Sequence, residues 1–261
     1  MNESGRVDMA GVRGMFGYSL TGKRESDQDF VACGEFGGVR TGVICDGMGG
    51  VRSGEKASKI AASIFVRRIG ALSKKGRRFW LSEKKRHTAY RNLIEDCHQS
   101  VSDMAGGAGL SGTTLTAVVV VFRKGSLGSI DLVHMGDCRC YFLSDGGARL
   151  MTDDHSVTGD MVRAGYIDVH EIEETSGKNT LTKHIGDEAG SKADVSSLDV
   201  DGGSRFLLCC DGVWGPLHKS DGIWLPDGDV ASQSAVEEIV HEAIERGSTD
   251  NCSALVVDLG A

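Results

Sequence analysis

No apolar run in these 261 residues is long enough to cross a bilayer: the longest, Leu115 to Phe122, falls far short of the ~20 residues a membrane helix needs. The opening MNESGRVDMAG also lacks an apolar signal core, so neither a membrane nor a secretory reading is warranted. None of the eight cysteines forms a CxxC pair, which excludes zinc ribbons and thioredoxin-like sites. Most of them lie inside apolar runs and read as reduced core residues of a cytoplasmic protein. Net positive charge is missing too, since 29 Lys and Arg stand against 37 Asp and Glu, a net charge of −8 that argues against generic nucleic-acid binding. The chain has no internal repeat and no long linker.

What is present is enough apolar material, 40% of residues, to bury a sizeable core. Short β-rich runs recur at Thr41 to Cys45, Thr113 to Phe122, Ile130 to Met135, Arg139 to Leu143, Arg205 to Cys210 and Ser253 to Leu259. Helical periodicity marks Glu55 to Ile69 and Glu83 to Met104, the second broken by Gly106 and Gly107. A third helix is expected with Ser234 and Glu237 as a capping box and Gly247 as its stop. Strands and helices come in uneven blocks, which favours antiparallel sheets flanked by helices over a Rossmann-like parallel sheet. Two polar stretches, Asp153 to Asp194 and Pro216 to Ser232, read as excursions from that core.

The chemical signal lies in where aspartates fall. Asp46 ends VICD, Asp137 follows VHMG, Asp211 ends FLLCCD, Asp250 immediately precedes the last strand, and Asp29 follows RESDQ. A lone Asp at a strand end is most simply a turn former. Several gathered together would repel by several kcal/mol in a partly dry site unless protons or cations neutralise them. All-oxygen donors without a His or Cys cluster suit Mg²⁺ or Mn²⁺ rather than zinc. In DGMGG, glycine lets backbone carbonyls approach a ligand, so Gly47 becomes a carbonyl donor. A Walker A reading of the same run fails, because GGVRSGEK places Glu between the Gly and the Lys.

The ordered blocks GKRESDQD (22–29), VICDGMGG (43–50), SGTTL (111–115), MGDCRCY (135–141), LLCCDGVWG (207–215) and STDNCS (248–253) resemble the PP2C-type (PPM family) metal-dependent protein serine/threonine phosphatases, bacterial branch. The resemblance spans Met15 to Leu259, nearly the whole chain. It implies an α+β fold, a central antiparallel β-sandwich flanked by helices on both faces, as one phosphatase domain over residues 1–261 with a small flap at roughly 155–190. It also implies two Mn²⁺ or Mg²⁺ ions, with a third, weaker one in bacterial relatives. Carried over by position, Asp46 bridges two metals, Asp211 and Asp250 complete one, the Gly47 carbonyl binds the other, and Asp29 holds metal-bound waters. Asp137 matches the third-metal position and Arg24 the arginine that contacts substrate phosphate. The implied reaction is hydrolysis of phosphoserine or phosphothreonine on proteins, by direct attack of a metal-bridging water or hydroxide without a phosphoenzyme. Phosphorylated kinases or their substrates are the implied partners, with no nucleic acid. The other reading is a catalytically quiet scaffold of the same fold that binds a signalling partner.

Four positions differ from family residues, two of them, Met48 and Gln28, in a way common among bacterial members. Met48 stands where many eukaryotic members carry a histidine, Gln28 where they carry a glutamate, Asp27 where Asn is usual, and Cys138 where Ser is usual. For Cys138 a packing role is favoured over a redox-sensitive one. His155 and His184, in the flap, are not expected to be ligands. A basic run from Arg67 to Arg91 holds ten Lys or Arg against Glu83 alone. A solvated helix connection is its simplest account, with docking to an acidic protein, a membrane surface or nucleic acid as the alternative.

Overall fold

A computed structural model describes residues 7–8, 11–49, 53–107, 109–123, 126–144, 147–178, 180–187, 190–219 and 222–260. Gly50 of the DGMGG run and flap positions 179, 188 and 189 lie outside them. In chain order the strands are β1 Val7–Asp8, β2 Met15–Leu20, β3 Asp29–Phe36, β4 Val39–Met48, β5 Gly112–Thr113, β6 Leu115–Arg123, β7 Ser126–Met135, β8 Arg139–Ser144, β9 Gly147–Leu150, β10 Asp194–Leu198, β11 Arg205–Cys209, β12 His218–Lys219, β13 Gly222–Ile223 and β14 Cys252–Asp258. The helices are α1 Ser53–Ser73, α2 Arg77–Trp80, α3 Glu83–Ala105, α4 Val157–Arg163, α5 Asp211–Leu217 and α6 Gln233–Glu245.

Two sheets pack face to face. One runs β1-β3-β4-β6-β7-β10, antiparallel except where β1 lies parallel to β3, and the other runs β2-β14-β11-β8-β9, antiparallel throughout. Alternation along the strands explains the layering. Ile44, Val118 and Val120 join Met15, Phe206 and Val256 in one core, while Val43, Val119 and Val121 meet Phe65, Tyr90 and Ile94 of α1 and α3 in a second. AVVVV (117–121) can be apolar at every position because β6 is buried on both faces. On the outer face of the second sheet, α6 presents Val236, Ile239, Val240 and Ala243. The result is a helix-sheet-sheet-helix stack, the antiparallel architecture expected from the sequence.

Both long helices start and stop close to the expected places. Ser82 caps α3, accepting from the Lys85 amide, and Gly106 ends it at φ 82°, a left-handed value that glycine adopts without strain. The expected cap of the third helix is corrected. Ser232, not Ser234, is extended at φ −145° and accepts from the Ala235 amide, and Glu237 bonds the Gln233 side chain rather than closing a capping box. The two excursions are only partly such, because Ile172 and Ile185 of the first are buried in the two cores and Pro216 of the second sits inside α5.

Candidate active site

Every predicted site residue lines one cleft, of about 510 Å³, except Asp29, which is buried beside Asp46. Asp46 is near the end of β4, and its cross-strand partner in the register is Asp29, the first residue of β3. Asp137 sits in the β7–β8 turn, Asp211 opens α5, Asp250 precedes β14, and Arg24 belongs to the β2–β3 loop. Strand ends from both sheets thus deliver carboxylates to the same edge of the sandwich.

The backbone at Asp46 is held from two sides. Its amide donates to the Thr114 hydroxyl at 2.8 Å, and its carbonyl accepts from the Thr114 amide at 2.8 Å and the Thr113 hydroxyl at 2.9 Å. This is the work of the SGTTL block. Gly47 donates its amide to the Gln28 carbonyl. A Cβ on Gly47 would lie 2.1 Å from the Gly54 carbonyl oxygen, so glycine is required where β4 meets the start of α1.

The electrostatics are those of crowded, buried carboxylates. Burial, then Asp29, Asp211, Asp137 and Asp250, push the Asp46 carboxyl well above the usual range. Asp137 is raised by burial and Asp211. Asp29 is raised by burial and by Asp27, against an opposing pull from the Ser253 hydroxyl and the Cys210 thiol. Neither Asp29 oxygen is within hydrogen-bonding geometry of any group, although the residue is only 1% exposed. Asp250 is turned towards Arg24, with the guanidinium 2.6 Å from its carboxylate, and this pairing holds the Arg24 charge above its ordinary range. Among the described residues, no three acidic, His or Cys side chains are drawn up as a finished chelate. The donors are nonetheless all oxygen, mutually repelling and partly unsatisfied, and such a set fits hard divalent cations rather than soft ones.

The family model for protein phosphatase 2C matches residues 16–251. The chain belongs to the protein phosphatase 2C family. It is 28% identical over 241 residues to a putative protein phosphatase 2C-type of Streptococcus pyogenes, covering 90% of this chain and 92% of that protein. The crystal structure of the PPM Ser-Thr phosphatase MsPP from Mycobacterium smegmatis, in complex with cacodylate, aligns at TM-score 0.73 and 29% identity, covering 96% of this chain and all of that one. The serine/threonine phosphatase of S. agalactiae aligns at TM-score 0.76, covering 94% of this chain and 98% of that one; at 24% identity it supports the fold.

Sequence reasoning missed the residues that position this phosphatase's cleft. Asn251 accepts from the Gln28 amide at 2.9 Å and donates to the carbonyls of Thr21 and Ser26, fixing the loop that carries Arg24. Arg139 is 1% exposed; it forks onto Asp154 and lies 3.5 Å over the Trp214 ring, while the Trp214 indole donates to the Asp137 carbonyl. The only advance signal was membership of the matched blocks STDNCS, MGDCRCY and LLCCDGVWG, which does not reveal the partners. Asp27 accepts from Ser19 and from the Asp29 amide, so its extra charge sits at the base of β3. Cys138 packs its sulfur 3.1 Å from the Thr114 hydroxyl, and burial beside Asp46 and Asp137 pushes its thiol well up, as a packing role requires. All eight cysteines are buried free thiols.

Proposed function

We propose that this protein hydrolyses phosphoserine and phosphothreonine monoesters on proteins, acting in the cytoplasm as one phosphatase unit over residues 1–261 with a flap at roughly 155–190. The observation that carries the reading is the convergence of Asp46, Asp137, Asp211, Asp250 and Arg24 on a single cleft. Asp46, Asp211, Asp250 and the Gly47 carbonyl would hold two Mn²⁺ or Mg²⁺ ions, and Asp137 with Asp211 a third, weaker one. When bound, such cations acidify a water for in-line attack on phosphorus and offset charge on the phosphoryl oxygens.

The chain's own groups do the rest. Asp29, buried beside Asp46 across the β3–β4 pair with both oxygens unsatisfied, would accept hydrogen bonds from water held by the cations. Arg24 is 55% exposed and can swing from Asp250 to a phosphate dianion, whose oxygens match its planar fork. Arg24 and a cation would compete for the Asp250 carboxylate, so an Asp250 engaged as a ligand would leave the Arg24 guanidinium free for phosphate. Met48 presents no titratable group to the cleft, so the leaving seryl oxygen takes no proton from this position.

Hydrolysis of p-nitrophenyl phosphate and of a phosphothreonine peptide, with Mn²⁺, with Mg²⁺ and after exhaustive chelation, tests the reading. Activity should require the cation and fall by at least about 10³-fold in Asp211→Asn, on the scale of removing one electrostatic stabiliser or more. Full activity in chelator would defeat it.

A further inference from the structure

The basic run between Arg67 and Arg91 folds into one end of the α1–α3 layer. Helix α1 begins at the cleft, where Gly54 packs on Gly47, and runs 21 residues, so its far end lies about 30 Å away at ~1.5 Å per residue. Helix α3 returns to the cleft side, where the Ser111 hydroxyl reaches the Met48 carbonyl. The α1–α2–α3 connection therefore sits opposite the reaction cleft.

Two of the ten cations there have structural duties. Arg86 is buried, forked onto Asp131 and bonded to the Trp80 carbonyl, and Arg68 pairs with Asp96 at 2.6 Å. Lys74, Lys75, Arg77, Arg78, Lys84 and Lys85 are exposed, and none makes an ion pair among the described residues. Complementing the α1 dipole needs no more than one or two of them. Helix α3, moreover, opens with Lys84 and Lys85 at its positive end, where basic residues are disfavoured. In their midst Leu81 is 50% exposed, beside a half-buried Phe79.

We propose that this end of the molecule is a docking surface for an anionic lipid bilayer. Exposed cations on both sequence flanks of an exposed aliphatic side chain suit a headgroup layer, where phosphates meet the ammonium and guanidinium groups and Leu81 enters the acyl boundary. A purely electrostatic partner, acidic peptide or nucleic acid, gives no reason to expose Leu81. Three clefts among the described residues are lined by residues outside this segment. Charge balance supplies orientation: the whole chain carries −8 and this segment +9, leaving −17 on the remainder. A negative surface therefore attracts this end and repels the rest. Docked so, the cleft faces away from the bilayer.

Co-sedimentation of the full chain with vesicles of one part phosphatidylglycerol to two parts phosphatidylcholine, against phosphatidylcholine alone, tests the proposal. The protein should pellet with the anionic vesicles only, and be released at about 0.5 M NaCl, where screening shortens to a few ångström. Lys84→Glu with Lys85→Glu, acids that the start of α3 tolerates, should lower the partition coefficient by at least ~25-fold, at about fivefold per cation removed. Leu81→Asp should lower it about tenfold, the order of one buried aliphatic side chain. Both variants should keep the wild-type rate on p-nitrophenyl phosphate. Equal pelleting with both vesicles, or undiminished binding in the variants, overturns the proposal. So does binding to poly-glutamate that is lost in the Lys84→Glu, Lys85→Glu variant while vesicles stay unbound, which would make the patch a protein-docking surface.

Discussion

Asp29→Asn should make the cation-free protein more stable and the loaded one less so. Asp29 is 1% exposed, has no satisfied oxygen, and is pushed well up by burial and Asp27. Without cations it must either stay charged in a dry site or take up a proton. The second route costs at most about 4 kcal/mol at pH 7, the free energy of protonating a carboxyl of pKa ~3.9 at about 1.36 kcal/mol per unit. Asn removes that cost but buries an amide with few partners, which returns ~1–3 kcal/mol. The net gain in chelator is then about 1–3 kcal/mol, and Tm should rise by ~2–4 °C per kcal/mol for a domain of this size. The folded pKa of Asp29 lies above its unfolded value, so the wild type bears the cost at neutral pH and sheds it as pH falls towards the unfolded pKa. The variant's advantage should accordingly shrink towards pH 4. With Mn²⁺ at about a hundred times its Kd, the wild type should gain ~2.7 kcal/mol and the variant clearly less. Thermal melts in chelator and in Mn²⁺ across this pH range measure all of it. A variant destabilised equally under both conditions would refute the reasoning, because Asp29 would then be a structural residue.

Other outcomes follow from named contacts. Arg24→Ala should raise KM for a phosphopeptide about 10–100-fold, the worth of one charged hydrogen-bond pair, and lower the half-saturating Mn²⁺ concentration by freeing Asp250; an unchanged KM removes Arg24 from phosphate binding. Arg139→Met leaves Asp154 buried and unpaired and should cost ~3–5 kcal/mol in urea unfolding, part of it recovered by adding Asp154→Asn; a loss below about 1 kcal/mol would contradict the buried-pair reading. His134 is buried and its pKa is lowered to about 4 by burial and by His155 stacked at 4.7 Å. The unfolded chain binds its proton from pH 6.5 downward and the folded one does not, so stability drains as pH falls through this window, by about 3 kcal/mol in all; His134→Gln should flatten that slope in acid-titrated melts.

How much of this was legible in the sequence depends on where the cause lies. Helices α1 and α3 were readable because one apolar stripe faces one sheet, and the acidic strand ends because VICD and FLLCCD place carboxylates where buried strands stop. Strand β10 was not, since DVSSL is polar and half-exposed; it exists as an edge strand on β7, and its Ser197 bonds Arg86 and Asp131. Helix α5 hid behind Gly212, Gly215 and Pro216, which locally read as a turn. The cap of α6 was misplaced because Ser232 and Ser234 are chemically equal candidates, and only the extended backbone at 232 decides. Asn251 and the Arg139–Asp154–Trp214 group act through partners up to 230 positions away, and no local pattern encodes such pairs.

The rigidity of the cleft floor links its instability to its affinity. Asp46 cannot relieve repulsion by backbone movement, because Thr113 and Thr114 hold its amide and carbonyl and the Gly47–Gly54 approach leaves no slack at the next residue. Asp29 lies directly opposite Asp46 in the β3–β4 register, so the two carboxyl-bearing backbones move together or not at all. Protonation or a cation are then the remaining ways to lower the energy, and at neutral pH protonation is the costly one. The free energy withheld from the cation-free fold therefore reappears as cation affinity. Thr114→Ala loosens that floor without removing a carboxylate: it orphans the Asp46 amide, so it should cost about 1–3 kcal/mol in urea unfolding and weaken Mn²⁺ binding in a titration, whereas unchanged Mn²⁺ affinity would show that the backbone clamp on Asp46 does not set it.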